Sequence, residues 1–99
     1  MAIRISAKNL KLSDISKKHI EKVCEKPRQF YDRIIDCDVV IVRMKKHGNG
    51  VEVIVKVPQQ TFVGSAESSE DNLFKAIDEA KDKVETQLKR YHDKQVQHQ

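Results

Sequence analysis

Hydrophobic residues alternate with polar ones in several short segments of the chain. Ile3, Ile5 and Ala7 alternate with Arg4 and Ser6 near the N-terminus, and valines alternate along residues 51–57. A period of two is typical of strands with one buried face, and β-branched residues favour the extended backbone. The pattern therefore predicts four strands, over residues 2–7, 36–45, 51–57 and 61–67.

Two longer segments have the spacing of amphipathic helices. The first is predicted to begin at a Ser13 or Asp14 cap and to end or kink near Lys26, because Pro27 cannot continue a helix without losing a hydrogen bond. The second is predicted from Ser68 to Lys94. The inward side of the first is predicted to hold Ile15, Ile20, Val23 and Cys24, and that of the second Leu73, Ile77, Ala80, Val84, Leu88 and Tyr91.

The predicted order of elements is β-α-β-β-β-α. A right-handed crossover through the first helix makes the first two strands parallel, and the short loops at 46–50 and 58–60 make the remaining pairs antiparallel. One face of such a sheet is buried, so both helices are expected on that face. The fold class is thus a single α+β domain with a four-stranded mixed sheet. We assign it to residues 1–94, with a polar tail at 95–99.

Composition indicates the cellular location of the protein and the class of partner that it binds. It has 99 residues with 19 basic and 15 acidic side chains, a net charge of +4 and a pI near 9.1. Its apolar runs are shorter than the roughly 20 residues that span a membrane, and its N-terminus does not resemble a secretion signal. A cytoplasmic protein without a membrane partner is expected, and its basic surplus is compatible with a nucleic-acid partner.

Positive side chains are arranged in rows on both predicted helices. Lys83, Gln87, Arg90 and Lys94 are spaced by four, three and four residues, which places them nearly in line, roughly 100° from the apolar stripe. Helices lying side by side on one sheet face would frame a groove lined by lysines, and such a groove suits RNA. The predicted RNA-binding residues are Lys18, Lys22, Lys26, Lys83, Gln87, Lys89, Arg90 and Lys94.

Other kinds of site lack support in the sequence. The two cysteines and four histidines have no metal-ligand spacing, and there is neither a glycine-rich phosphate loop nor a nucleophile–base arrangement. We therefore predict no enzyme activity, metal, cofactor or small-molecule substrate. Cys24 and Cys37 are expected to be buried free thiols, the histidines to lie at the surface, and Phe62, Phe74 and Tyr91 to pack in the core.

Three stretches carry a family resemblance. They are FYDRII at residues 30–35, SAESSEDNLFKAIDEAKDKVETQL at 65–88 and KRYHDK at 89–94. Together with the predicted order of elements, they resemble the family of ribosome hibernation promoting factors and ribosome-associated inhibitor A, also labelled sigma-54 modulation proteins. The resemblance covers nearly the whole chain and depends on the combination of the three stretches.

The resemblance implies a cytosolic protein that binds rRNA of the small ribosomal subunit in the channel for mRNA and tRNA. Such proteins inhibit translation in stationary phase or stress. The chain has Thr86 where relatives usually carry arginine, and Pro27 where they carry a long apolar residue. Because it ends at Gln99, it resembles the short members without a dimerisation domain or long acidic tail. The free protein is expected to be monomeric.

Two alternatives remain open at this stage. A generic double-stranded-RNA-binding module would share much of the predicted outline and would bind free duplexes as well as ribosomes. A protein-interaction module that modulates an alternative sigma factor would bind its partner even at high salt. Salt dependence and co-sedimentation with ribosomes distinguish these hypotheses.

Overall fold

The computed structural model describes residues 2–29, 33–45 and 48–97. Its strands are β1 (Ala2–Lys8), β2 (Asp36–Met44), β3 (Gly48–Val57) and β4 (Gln60–Ser69), and its helices are α1 (Asp14–Glu25) and α2 (Leu73–Gln97). Short 3-10 helices follow α1 at Lys26–Gln29 and precede α2 at Glu70–Asn72. The predicted order β-α-β-β-β-α is confirmed.

The four strands form one mixed sheet in the order β1-β2-β3-β4. β1 is parallel to β2, and the β2–β3 and β3–β4 pairs are antiparallel, as predicted. Adjacent positions in the register share a face, so Val39, Val53 and Gly64 form one row across β2, β3 and β4, and all three are buried. Cys37, Val55 and Phe62 form the next row.

Both helices pack against this buried face. α2 lies across β3 and β4, and α1 lies beside α2 and contacts β1. Ile20 from α1 and Ile77, Val84 and Leu88 from α2 are fully buried beneath the helices. Burying each such side chain contributes about 1.5–3 kcal/mol, so this one layer of contacts holds both helices on the sheet.

Helix α2 approaches the sheet closely at Gly64. A Cβ atom built on Gly64 would lie 2.2 Å from the Ala80 carbonyl oxygen and 2.9 Å from Cγ2 of Val84. No ordinary side chain fits in that space, so the glycine sets how near α2 lies to β4.

The helix boundaries match the predictions in part. Ser13 caps α1 by accepting a hydrogen bond from the Ser16 amide, and the helix ends at Glu25, before the buried Pro27, as expected. Ile15 was expected on the inner side but is 72% exposed. It precedes the buried Ile20 by five residues, which is roughly 140° around a helix.

The end of β4 also differs from the prediction. Strand pairing continues through Ser69, so α2 begins at Leu73 instead of Ser68. The helix then runs to Gln97, past the predicted end at Lys94, and the division into a domain and a tail at that residue stays a prediction. The loop predicted at residues 46–50 is shorter in the structure, because residues 48–50 pair in β3. Residues 46 and 47 lie outside the described ranges.

Candidate nucleic-acid interface

Two members of the predicted cationic row on α2 contact the edge strand of the sheet. The Lys83 ammonium donates a hydrogen bond to the Ser65 carbonyl oxygen at 2.5 Å, and the Gln87 amide donates to the Val63 carbonyl oxygen at 2.9 Å. β4 has a neighbouring strand on one side only. Lys83 and Gln87 therefore satisfy backbone oxygens that an edge strand leaves open, and they protect this edge from pairing with another chain.

Arg90 and Lys94 continue the same row toward the end of α2. Both are exposed, and neither has a hydrogen-bond or ion-pair partner among the residues that the structure describes. Their charges are consequently available to an external anion. An arginine can hold a phosphate through two parallel hydrogen bonds, whereas a lysine acts as a point charge.

The row on α1 lies on the exposed side of the helical layer, which α1 and α2 form together. Lys18, Lys22 and Lys26 are all exposed and, within the described ranges, have no carboxylate partner. Lys18 and Lys22 border a depression toward β1, which Glu21 also lines. Lys22 also lines the groove between the two helices, together with Lys26.

The interhelical groove is mixed in charge. It encloses about 350 Å³ and is lined by His19, Lys22, Val23 and Lys26 of α1 and by Asp78, Lys81 and Asp82 of α2. The expectation that both lysine rows face this groove is wrong. The buried stripe of α2 points into the sheet, so the row from Lys83 falls on the β4 side of the helix and the Lys81 side faces α1.

Lys81 is a groove residue that the sequence pattern does not single out. It is 8% exposed, and its ammonium lies 2.9 Å from an Asp82 oxygen and 3.1 Å from a Glu85 oxygen. Burial alone lowers the pKa of this lysine, but hydrogen bonds and attraction from the two carboxylates outweigh burial, and the pKa is raised. Its i, i+4 spacing from Glu85 is the only signal in the sequence that points to this pairing.

His19 lines the groove and stacks on Phe74, which lies beside the groove without lining it. Their rings stack with centroids 4.2 Å apart and planes 6° from parallel, and Nε2 of His19 lies 3.0 Å from an Asp78 oxygen. His19 was expected at the surface and is half-buried, whereas Phe74 was expected in the core and is 38% exposed. The sequence does offer a signal, because Phe74 falls outside the apolar stripe of α2.

Lys89 occupies a third position, on the outward side of α2. It borders a shallow depression with Asp82, Glu85 and Thr86 and, in the described part of the chain, has no ion-pair partner. The Thr86 hydroxyl donates to the Asp82 carbonyl oxygen at 3.0 Å, so this hydroxyl is used within the helix. The predicted site residues are thus spread over the helical layer, around a groove that contains carboxylates.

Three observations concern other kinds of site. Cys24 and Cys37 are buried free thiols, as predicted, with their Sγ atoms 3.1 Å apart. Within the described ranges, no cluster of three or more His, Cys, Asp or Glu residues has the arrangement of a metal site. No helix in those ranges is both long and apolar enough to cross a bilayer.

Comparison with known protein families assigns the chain. The family described as "Sigma 54 modulation protein / S30EA ribosomal protein" matches residues 3–96. The chain belongs to this family. The sequence resemblance, based on the stretches at residues 30–35, 65–88 and 89–94 and on the order of elements, is confirmed.

Individual relatives agree with this assignment. The chain is 26% identical over its full length to a ribosome hibernation promoting factor of Azotobacter vinelandii, covering 90% of that protein. It is 25% identical over 96% of its length to one of Pseudomonas putida, again covering 90%. Over 95% of its length it is 24% identical to the ribosome hibernation promotion factor of Bacillus subtilis, and it spans only 50% of that longer protein.

Solved structures of two relatives share the fold. The N-terminal domain of Thermus thermophilus Protein Y superimposes with a TM-score of 0.80 and 28% identity, over 92% of this chain and 99% of that one. A ribosomal subunit interface protein from Coxiella burnetii gives a TM-score of 0.82 and 27% identity, over 94% and 99%. These names describe those proteins, and the second associates the fold with ribosomes.

Proposed function

We propose that this protein is a ribosome hibernation factor that binds the small ribosomal subunit and inhibits translation in stationary phase or stress. In this proposal it occupies the channel for mRNA and tRNA, contacts rRNA phosphates with the cations of its helical layer and catalyses no reaction. The family membership supports a ribosomal role. A cytoplasmic location follows from that role.

The observation that carries the proposal is the difference between the two faces of the domain. The helical layer presents exposed cations without carboxylate partners in the described ranges, among them Lys22, Lys26, Arg90 and Lys94. On the opposite, outer face of the sheet, Arg4 is held by Asp36 at 2.9 Å and Asp38 at 2.8 Å. Phosphate is attracted to the first surface, whereas the charge of Arg4 on the outer face is already neutralised by two carboxylates.

Co-sedimentation with purified small subunits at increasing salt tests the proposal. Five to seven phosphate contacts predict a slope of about −4.5 to −6 in a plot of log affinity against log salt concentration, with the coefficient for DNA as a guide. The double variant Arg90→Glu, Lys94→Glu is expected to stay folded and to lose most of its binding. Lys56→Glu in β3, an exposed cation outside the helical layer, is the matched control and should bind almost as well as the wild type.

The same experiment separates the two other hypotheses. Equal affinity for a free RNA duplex and for small subunits would favour a generic duplex-binding module. Retention on a protein partner at high salt, without co-sedimentation, would favour the sigma-factor modulator. If the double variant sediments with subunits as the wild type does, the cationic helical layer is not the binding surface.

A further inference from the structure

The groove between α1 and α2 contains groups that binding of phosphate alone does not require. Asp78 and Asp82 line it beside Lys22 and Lys26, and each carboxylate is already in contact with a group of the domain, Asp78 with Nε2 of His19 at 3.0 Å and Asp82 with the Lys81 ammonium at 2.9 Å. Phe74 keeps 38% of its surface exposed next to the groove, stacked on His19. The cavity thus holds the His19 ring, which is stacked on Phe74, together with carboxylate acceptors and two lysines, and these groups match the base and the phosphate of a nucleotide.

We propose that this groove binds a single unpaired RNA nucleotide, with its base against the His19–Phe74 ring pair, its amino group donating to Asp82 and its phosphate on Lys22 and Lys26. The inference rests on the proposed function, because it takes the RNA partner from there. It adds that one base is recognised inside the groove, in addition to phosphates along the surface.

The dimensions and chemistry of the groove fit this ligand. Its volume is about 350 Å³, and Val23 adds an apolar side chain to its lining. Proteins that read single-stranded RNA stack splayed bases on aromatic side chains, histidine and phenylalanine included, and hydrogen-bond their edges. A carboxylate accepts from the exocyclic amino group of a base such as cytosine. Bases with an amino group should therefore be preferred over uracil.

The ring pair has a support that fixes its position. Nε2 of His19 lies 3.0 Å from the Asp78 carboxylate, and this contact joins α1 to α2 across the groove. Lys81 is held between Asp82 and Glu85, so its charge is already balanced. The cations left for an incoming phosphate are Lys22 and Lys26, which lie on the opposite wall from the carboxylates.

Substitution of Phe74 tests the stacking. Phe74→Leu is expected to weaken binding to purified small subunits by about tenfold or more, as removal of a base-stacking ring typically does, and to leave the salt slope unchanged. Phe74→Tyr keeps a ring and should retain affinity. Ile35→Ala, at a residue that is 50% exposed and outside the helices, is the control for loss of exposed apolar surface and should bind as the wild type does.

Substitution of Asp82 gives a test of opposite sign. If Asp82 only repels phosphate, Asp82→Asn strengthens binding; if its carboxylate accepts a hydrogen bond from a base, the same change weakens binding. Glu79→Gln removes one charge from an exposed site on α2 outside the groove and serves as the matched control. We expect Asp82→Asn to weaken binding several-fold, while Glu79→Gln leaves it equal or slightly stronger.

The outcomes separate this inference from the proposed function. Wild-type protein that fails to bind small subunits overturns both. The proposed function stands if the wild type binds with the predicted salt slope. The nucleotide site is refuted if, in addition, Phe74→Leu keeps its affinity or Asp82→Asn gains affinity. Thermal unfolding of each variant confirms that the binding change is not a loss of fold.

Discussion

Replacing Gly64 with alanine should loosen the attachment of α2 to the sheet. The added Cβ would stand 2.2 Å from the Ala80 carbonyl oxygen and 3.1 Å from Cβ of Lys83. Contacts between carbon and a carbonyl oxygen settle near 3.3–3.6 Å, so the helix must retreat by roughly 1 Å. The obstructing atom belongs to the backbone of α2, which means that no side-chain rotation relieves the contact.

The cost of this displacement can be estimated from its parts. Overpacking a close-packed interface costs about 1–3 kcal/mol. Retreat of α2 also weakens the hydrogen bonds from Lys83 to Ser65 and from Gln87 to Val63, together worth about 1–2 kcal/mol. Alanine restricts the unfolded chain and returns about 0.4–1 kcal/mol. The net destabilisation is about 1–5 kcal/mol and is centred at ~3 kcal/mol, which corresponds to a melting temperature lower by roughly 12–24 °C.

Urea unfolding followed by circular dichroism measures this difference, and Gly50→Ala is the matched control. Gly50 lies in the adjacent strand, and a Cβ there would meet nothing within 4 Å. The control should be as stable as the wild type or slightly more stable, because it gains only the entropic benefit. Equal stability of Gly64→Ala and Gly50→Ala would refute the idea that the glycine sets the distance between helix and sheet.

Two further predictions concern the core. Val84→Asp should unfold the domain, because Val84 is fully buried and an unpaired buried charge costs several kcal/mol. Thr86→Asp, on the exposed side of α2, is the control and should leave the domain folded. Equal melting temperatures of the two variants would contradict the assignment of the buried stripe. The contact with Cys37 and burial raise the pKa of the Cys24 thiol. Above about pH 9 the unfolded thiol, with an ordinary pKa of 9.0, loses its proton while the native thiol keeps it, so the free energy of unfolding should decrease by up to ~1.4 kcal/mol per pH unit. Urea titrations at pH 8 and pH 10 should show this decrease in the wild type but not in Cys24→Ser, and the same pH dependence in both proteins would refute the prediction.

Much of the fold follows from local patterns. Valine alternation in β3 and the apolar stripe of α2 each reflect a single buried face, and the order of elements leaves few topologies once the crossover is right-handed. Ile15 shows the limit of this reasoning, because hydrophobic character alone does not place a residue on the inner side of a helix. Its 72% exposure follows from its angle to Ile20, which periodicity could have indicated.

The candidate site was harder to predict for a physical reason. Helical spacing shows that Lys83 and Gln87 share a row, but it does not reveal which side of α2 meets the edge of the sheet. That side is fixed by the contact of Gly64 with Ala80 and Val84. Both of these residues are distant from Gly64 in the sequence, so local patterns do not reveal the contact. The carboxylates of the groove are likewise brought opposite Lys22 only by tertiary packing of the two helices.

Lysine acetylation followed by mass spectrometry, on the free protein and on its complex with small ribosomal subunits, tests the central claim most directly. The account predicts that Lys18, Lys22, Lys26, Lys89 and Lys94 lose reactivity in the complex. Lys56, which is exposed in β3 and outside the helical layer, should react equally in both states. Protection of Lys56 with unchanged reactivity of the lysines on α1 and α2 would contradict the claim that the helical layer faces RNA.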